Sequence, residues 1–216
     1  YLAIHHRRPT NPYQTHQCLM KEFWNERYAE TAYAYGQEAN DFLKAQPIGS
    51  DLKVLCLAEG EGRNGVYLAK LGNEVTCMDY SESGLQKARE LALENSVGIS
   101  CVCADLGEVE LESGQWDLIV AIFAHFPKSI KQHIWPQIYT SLKPGGKLLM
   151  EVYDQEQLRF GTGGPQHADL LYSKDELIDT FSGDFTSLQI EKVYREVQEG
   201  NYHNGASATL QVIAIK

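Results

Sequence analysis

The sequence predicts an α/β fold of the doubly wound type: a mostly parallel sheet with helices on both faces and an antiparallel element at its C-terminal end. Three observations carry this. From residue 51 onward short apolar runs alternate with helical patterns, and strand–helix alternation is the signature of a parallel sheet covered on both sides. The runs KVLCLA (53–58) and WDLIVA (116–121) are apolar almost throughout, as strands buried on both faces are. The last two strand patterns, roughly 186–195 and 206–215, are joined by residues 196–205 with no helical pattern between them, which favours a hairpin at one sheet edge.

Taken in order, residues 1–17 read as irregular. From 18 to 43, Leu19, Phe23, Trp24, Tyr28, Ala32, Tyr35 and Phe42 recur at helical spacings; Gly36 interrupts the pattern and Pro47-Ile48-Gly49-Ser50 ends it. Strand 53–58 is followed by Gly60 and Gly62, then by a helix over 64–70 that Gly72 stops. Strand 74–78 leads to Ser81, an N-cap for a helix over 82–94 with Leu85, Ala88, Ala92 and Leu93 on one side. Strands follow at 99–104 and 116–121. The helix over 129–142 contains Pro136, which predicts a kink or break. Lys143-Pro144-Gly145-Gly146 reads as a tight turn feeding strand 147–153. The loop Gly161-Thr162-Gly163-Gly164-Pro165 has the composition of a hinge or lid. Ser173 and Glu176 have the spacing of a capping box at the start of a helix to residue 181. The expected division is an N-terminal helical segment, 1–50, and one structural unit, 51–216.

Composition narrows the partners. The chain has 216 residues, 43% hydrophobic and 22% charged, with formal net charge −10. That field repels phosphate backbones and anionic lipid, so a small molecule is the expected partner rather than nucleic acid or membrane, with the protein a monomer or homodimer. Five cysteines without a C-x-x-C pair read as small apolar side chains in a reducing, cytoplasmic compartment. The opening YLAIHHRRPTNPYQTH is polar and lacks the apolar stretch of a signal peptide. No histidine spacing suggests a metal site.

The chemistry concentrates at the carboxyl ends of the strands. The loop Ala58-Glu59-Gly60-Glu61-Gly62-Arg63-Asn64-Gly65 joins the first strand to the first helix. Missing Cβ atoms allow a ligand close to the backbone, and the helix N-terminus presents N–H groups to an anion. Asp79 ends the second strand, placed to accept both hydroxyls of a ribose, with Tyr80 after it. Asp105, within Ala104-Asp105-Leu106, is placed to accept from an adenine amino group beside the apolar wall of Leu106.

VLCLAEGEG, VTCMDYS, CADL, WDLIVAIFAHF and LKPGGKLLMEV, in that order, resemble the motifs of the class I S-adenosylmethionine-dependent methyltransferases over about residues 52–155. The resemblance implies a Rossmann-like seven-stranded sheet with its last strand inserted antiparallel, and S-adenosylmethionine lying across the strand ends. Two positions depart from the family pattern: Cys56 stands where an acid is usual, and Ala58 where the first glycine is. Phe23-Trp24-Asn25-Glu26-Arg27-Tyr28, Tyr35-Gly36 and Asn40-Asp41-Phe42-Leu43 resemble, more narrowly, the cofactor-covering helix of tellurite-resistance-type and thiopurine-type enzymes. That branch implies a small acceptor such as a thiol or metalloid oxyanion.

The residues expected to hold the cofactor are Trp24, Tyr28, Glu59, Gly60, Gly62, Asp79, Tyr80, Ala104, Asp105, Leu106 and Ala121. Trp24 and Tyr28 share a helix face, and an aromatic face attracts a sulfonium by about 0.5–2 kcal/mol. On the acceptor side the candidates are His125, Tyr153, Arg195 and His203. Nucleobase methylation is disfavoured because Ile122-Phe123-Ala124-His125 replaces the N/D-P-P-Y of such enzymes. Two alternatives stay open: G-E-G-R-N-G also satisfies a dinucleotide fingerprint, implying a nicotinamide-dependent oxidoreductase, and a non-catalytic S-adenosylmethionine-binding regulator would share the same motifs.

Overall fold

The structure, a computed structural model, describes residues 21–30, 32–183 and 185–216. The expectations for residues 1–17, and those on Cys18 and Leu19, lie outside them. Its centre is a seven-stranded sheet in the order β3-β2-β1-β4-β5-β7-β6. The strands are β1 (Lys53–Leu57), β2 (Glu74–Asp79), β3 (Ser100–Cys103), β4 (Trp116–Ile122), β5 (Leu142–Tyr153), β6 (Ser187–Glu199) and β7 (His203–Ile215). β1 pairs in parallel with β2 and β4, and the parallel pairing continues to β3 and β5. β7 lies antiparallel between β5 and β6. The chain winds one way from β1 to β3 and the other way from β4 onward, so a crevice opens at the carboxyl ends of β1 and β4, the usual ligand position in such sheets.

Alternate residues of the strands feed two cores. Leu55, Leu57, Ile119, Leu148, Met150 and Val212 pack with Ile134, Trp135 and Ile138 of α5 (Lys128–Ser141) and Leu177 and Phe181 of α6 (Lys174–Phe181). Val54, Cys56, Val75, Cys77, Leu118 and Val120 pack with Leu68 of α3 (Arg63–Lys70), Leu85 of α4 (Glu82–Glu94) and Phe42 and Leu43 of α2 (Asp41–Lys44). Both faces are covered, which is why these strands lack polar alternation.

Several expectations are corrected. The pattern over 18–43 is not one broken helix: the described part is helical at residues 21–28 (α1) and in α2, with irregular chain between. Its aromatic residues instead converge on the strand ends. α5 runs uninterrupted through Pro136; Pro136 and Gln132 are exposed, so the Gln132 carbonyl that loses its helical donor faces water. Lys143-Pro144-Gly145-Gly146 is a bulge inside β5 rather than a turn before it. The register jumps from Trp116↔Leu142 to Leu118↔Lys147, Gly145 takes φ +78°, and its N–H donates to the Lys216 carbonyl. β6 and β7 extend beyond the expected ends and pair as far as Glu199↔His203. Cys56 and Cys77 are buried, but Cys103 is exposed because β3 is the sheet edge. Among the described residues no helix is long and apolar enough to cross a membrane.

Candidate active site

The glycine loop leaves β1 through Ala58, a non-glycine residue at φ +51°, and turns at Gly60 (φ +60°) into Gly62 (φ +86°), the N-cap of α3. Glu59 was expected to contact the cofactor. Its carboxylate turns inward instead: Oε1 accepts from the N–H groups of Asn64 and Gly65, each at 2.8 Å. Burial pushes its pKa up to about 7. This corrects the expectation that the α3 N-terminus offers those N–H groups to a ligand. The loop also retains a carboxylate, three residues along the chain from the acid that Cys56 replaces.

Asp79 ends β2 with Oδ2 accepting from Gly60 N–H at 3.0 Å and Oδ1 from Ser81 N–H at 2.8 Å. Burial raises its pKa to about 6. The carboxylate therefore shapes the loop it faces. Ala104 N–H donates to the Asp79 carbonyl, setting the next strand end beside it. Asp105 Oδ1 accepts from Gly107 N–H at 2.8 Å. Tyr80 interacts with Trp24 through its side chain, and burial raises its phenol. Leu106 and Ala121 are buried in the core beneath the strand ends.

Aromatic rings roof this floor. Trp24 and Tyr28 of α1 stack with ring centroids 5.4 Å apart. Tyr28 is buried against the glycine loop, and burial followed by the nearby Asp79 carboxylate raises its phenol. Tyr35 continues the roof to His203, at 4.5 Å. Phe123 touches both His203 and Tyr153, at 4.6 Å each. Phe123 takes φ +51°, a strained conformation for a bulky residue, and its N–H is fixed to the Glu151 carbonyl at 2.7 Å. The GTGGP loop closes the far side. A Cβ on Gly164 would stand 2.5 Å from the Tyr153 ring, and Gly163 pairs with His203.

The acceptor-side candidates separate into two kinds. Tyr153 and His203 are both buried, with ring centroids 5.3 Å apart; His203 Nδ1 has no hydrogen-bond partner among the described residues, and the Tyr153 hydroxyl has none of full hydrogen-bond geometry, with the Ser207 side chain its polar neighbour. Burial holds His203 well below the usual imidazole pKa, with Arg63 the next contributor. His125 lies beside them, but Nδ1 faces the Leu170 carbonyl at 3.1 Å and Nε2 accepts from Tyr153 N–H at 3.3 Å. Those bonds require the Nδ1–H tautomer, and burial lowers its pKa to about 3, so neither nitrogen is free to take a proton. Arg195 is also spoken for: Nε and NH2 bond Glu151 at 3.0 and 2.6 Å.

That pair belongs to a buried polar network. Asn40 donates to Glu151 at 2.6 Å and to Glu199 at 2.9 Å, and Arg63 pairs with Glu199 at 2.5 Å. The network ties α2, the start of α3, β5 and the β6–β7 hairpin, and so joins the glycine loop to the hairpin that presents His203.

Residues 54–146 match the protein-family model described as a methyltransferase domain. Over 104 residues the chain is 30% identical to the probable S-adenosyl-L-methionine-dependent methyltransferase TehB of Haemophilus influenzae, covering 48% of this chain and 34% of that protein. It is 33% identical over 99 residues to the uncharacterized methyltransferase YbaJ of Bacillus subtilis, covering 45% of this chain and 39% of that protein. Residues 54–146 are a methyltransferase domain, similar to S-adenosylmethionine-dependent methyltransferases. The match spans little more than a third of the length of these curated relatives.

The fold of the chain is shared with the crystal structure of TehB from Haemophilus influenzae, at TM-score 0.62 and 20% identity, covering 91% of this chain and 66% of that one. It is shared also with a protein solved in work on conversion of a disulfide bond into a thioacetal group during echinomycin biosynthesis, at TM-score 0.69 and 19% identity, covering 91% and 92%. The cofactor of the family is S-adenosylmethionine, not a nicotinamide. The antiparallel β7 between β5 and β6 agrees, since dinucleotide-binding sheets run parallel in the order 3-2-1-4-5-6. The site fits such a ligand: the loop takes positive φ at the alternate positions Ala58, Gly60 and Gly62, two carboxylates end β2 and follow β3, and the roof is aromatic.

Sequence reasoning did not single out Phe123, Arg63, Glu151 or Glu199 as parts of the site, and brought Tyr35 and Asn40 in only with the segment that resembles a cofactor-covering helix. Glu151 had a usable signal, a lone charge inside the apolar run of β5. The others depend on contacts distant in sequence.

Proposed function

We propose that this protein transfers the methyl group in line to a small acceptor, a thiol or metalloid oxyanion, held beside the aromatic cluster of Tyr35, Phe123, Tyr153 and His203. The observation that carries the reading is the pair of buried atoms without a partner of full hydrogen-bond geometry, the Tyr153 hydroxyl and His203 Nδ1, flanked by Tyr35 and Phe123. Buried polar atoms without partners cost about 1–3 kcal/mol each, and a polar acceptor would relieve both. S-adenosylmethionine, when bound, supplies an already activated methyl on a sulfonium. The chain's task is alignment and exclusion of water. In this reading the Tyr153 hydroxyl donates to the acceptor, and neutral His203 accepts its proton or hydrogen bond through Nδ1. The Gly161–Pro165 segment covers the acceptor. The resemblance of the N-terminal segment to tellurite-resistance-type enzymes supports a metalloid-type acceptor, and the net charge of −10 supports a small acceptor over nucleic acid.

The test combines binding with turnover. S-adenosylhomocysteine should bind by calorimetry, and labelled methyl should pass to at least one member of a panel of thiols and metalloid oxyanions. His203→Gln should lower kcat/KM by about 10²–10⁴-fold while leaving affinity for S-adenosylhomocysteine within about twofold. Tight binding of S-adenosylhomocysteine with no transfer to any member of the panel would defeat the reading.

A further inference from the structure

Among the described residues the cysteines all lie in the sheet, and they are unequal. Cys56, Cys77 and Cys101 stand side by side across β1, β2 and β3, with Cys56 and Cys77 sealed from solvent. Cys101 is half-buried and Cys103 is exposed, because β3 is an edge strand. A role as small apolar side chains accounts for the inner pair but not for Cys103. Two residues apart on one strand, Cys101 and Cys103 point to the same face. That face is the one α4 covers: Cys101 Sγ donates to the Leu85 carbonyl at 3.9 Å, and Cys103 Sγ donates to the Tyr80 carbonyl at 3.5 Å. Glu82 and, after it, Cys101 and Cys103 hold the Arg89 guanidinium above its usual pKa, so both sulfurs lie near one charge at the open edge.

Geometry and chemistry narrow what such a pair can take. Residues i and i+2 of a strand are about 6.6 Å apart. Side chains on one face run parallel, so the two Cβ atoms stay well beyond the roughly 3.5–4.5 Å of a disulfide. A bridge with one more atom between the sulfurs spans the gap. Among the described residues no three His, Cys, Asp or Glu side chains cluster as a metal-ion site, so the bridging centre is one for which two sulfurs suffice. Burial pushes the Cys101 thiol up to about 11 and raises Cys103 as well, which leaves both sulfurs protonated at neutral pH. A metal cation needs its thiol ligands deprotonated. The oxide of a trivalent metalloid does not. Two element–sulfur bonds form, the element–oxygen bond breaks, and the oxygen leaves as water with the two thiol protons. Nothing is oxidised or reduced.

We propose that Cys101 and Cys103 form a chelating dithiol that binds a trivalent, thiophilic metalloid such as arsenic. The site stands apart from the acceptor cluster. β3 and β5 are four strand spacings apart in the sheet order, about 19 Å, so a metalloid held here is out of position to receive the methyl group. The inference is independent of the methyl-transfer reading.

The experiment titrates the reduced full chain with phenylarsine oxide and follows the adduct by intact-mass spectrometry. The native protein should take one phenylarsenic group per chain with loss of two reactive thiols. It should hold the group against excess 2-mercaptoethanol and yield it to 2,3-dimercaptopropanol. Cys101→Ser and Cys103→Ser should each weaken binding by about tenfold or more, because a second thiol tethered beside the first acts at an effective concentration of about millimolar. Where a serine variant fails to fold by circular dichroism, alkylation of the native chain decides: bound phenylarsine oxide should protect Cys101 and Cys103 from iodoacetamide, as peptide mapping reads. Native affinity in either serine variant, protection of a different pair of cysteines, or release to 2-mercaptoethanol as ready as from a single thiol overturns the proposal.

Discussion

Tyr28 lays its ring across Gly60: a Cβ built on that glycine would stand 2.6 Å from the tyrosine hydroxyl. A residue of the N-terminal segment and the turn of the glycine loop thus share one packing site. The same ring lies 2.9 Å from a Cβ built on Gly84 in α4. Gly60→Ala must displace a buried phenol and place a side chain at φ +60°. It should destabilise the protein by about 1–3 kcal/mol and weaken S-adenosylhomocysteine binding at least tenfold. Urea unfolding and calorimetry check both; unchanged values would mean that Tyr28 does not seal the loop.

Asp79 makes a pH-dependent prediction. Its pKa is raised by burial from 3.8 to about 6. An acid whose folded pKa is raised favours the fold most below its unfolded pKa, and that contribution is lost as pH rises through the folded value. The stability of the native protein relative to Asp79→Asn should therefore fall between about pH 4 and 6 and then level off. A shift of this size corresponds to about 3 kcal/mol. The slope of the difference, from denaturant melts at each pH, is the readout, because the substitution adds its own constant offset. A flat difference would show that Asp79 is not desolvated in the fold.

His125 should be silent where histidines usually titrate. Both ring nitrogens face backbone groups, and burial takes its pKa down to about 3. Its ring Cε1–H resonance should stay constant from pH 5 to 8 in an NMR titration. Movement of the His125 signal in that window would return it to the list of candidate bases.

Glu151 is the hinge of the buried network. It accepts from Asn40, Arg195, Thr209 and Gln211 with none of its surface exposed. Glu151→Leu leaves Arg195 with Glu199 at 3.4 Å and Asp41 at 3.9 Å, and strands several donors. Removing one partner of a buried pair costs about 3–5 kcal/mol, and that loss should appear as a lower urea midpoint. A change under about 1 kcal/mol would show that the network is replaceable packing.

The order of the elements was legible in the chain because it rests on local periodicity. Helix 82–94, capped by Ser81, stands where its apolar spacing puts it, and Ser173 accepts from Glu176 N–H as the capping box requires. The glycine loop and Asp79 were legible for a similar reason: a tight turn and a strand-end acid are short-range patterns. The length and route of the N-terminal helical pattern were not. Repeats of apolar residues show that something is to be buried, and here the surface that buries them is the site itself.

Sequence alone determined the winding of the sheet, the position of the loop and the family whose motifs it carries. Only the tertiary structure decided which polar groups are already satisfied. Glu59 and Asp79 look alike along the chain, yet one caps a helix and the other braces the loop against β2. His125 and His203 look alike too, yet one has both nitrogens bonded and the other keeps Nδ1 without a partner. Glu59 is satisfied from five and six residues away, but Asp79 meets Gly60 from 19 residues away and Asn40 meets Glu199 from 159, and no local pattern encodes contacts at that range.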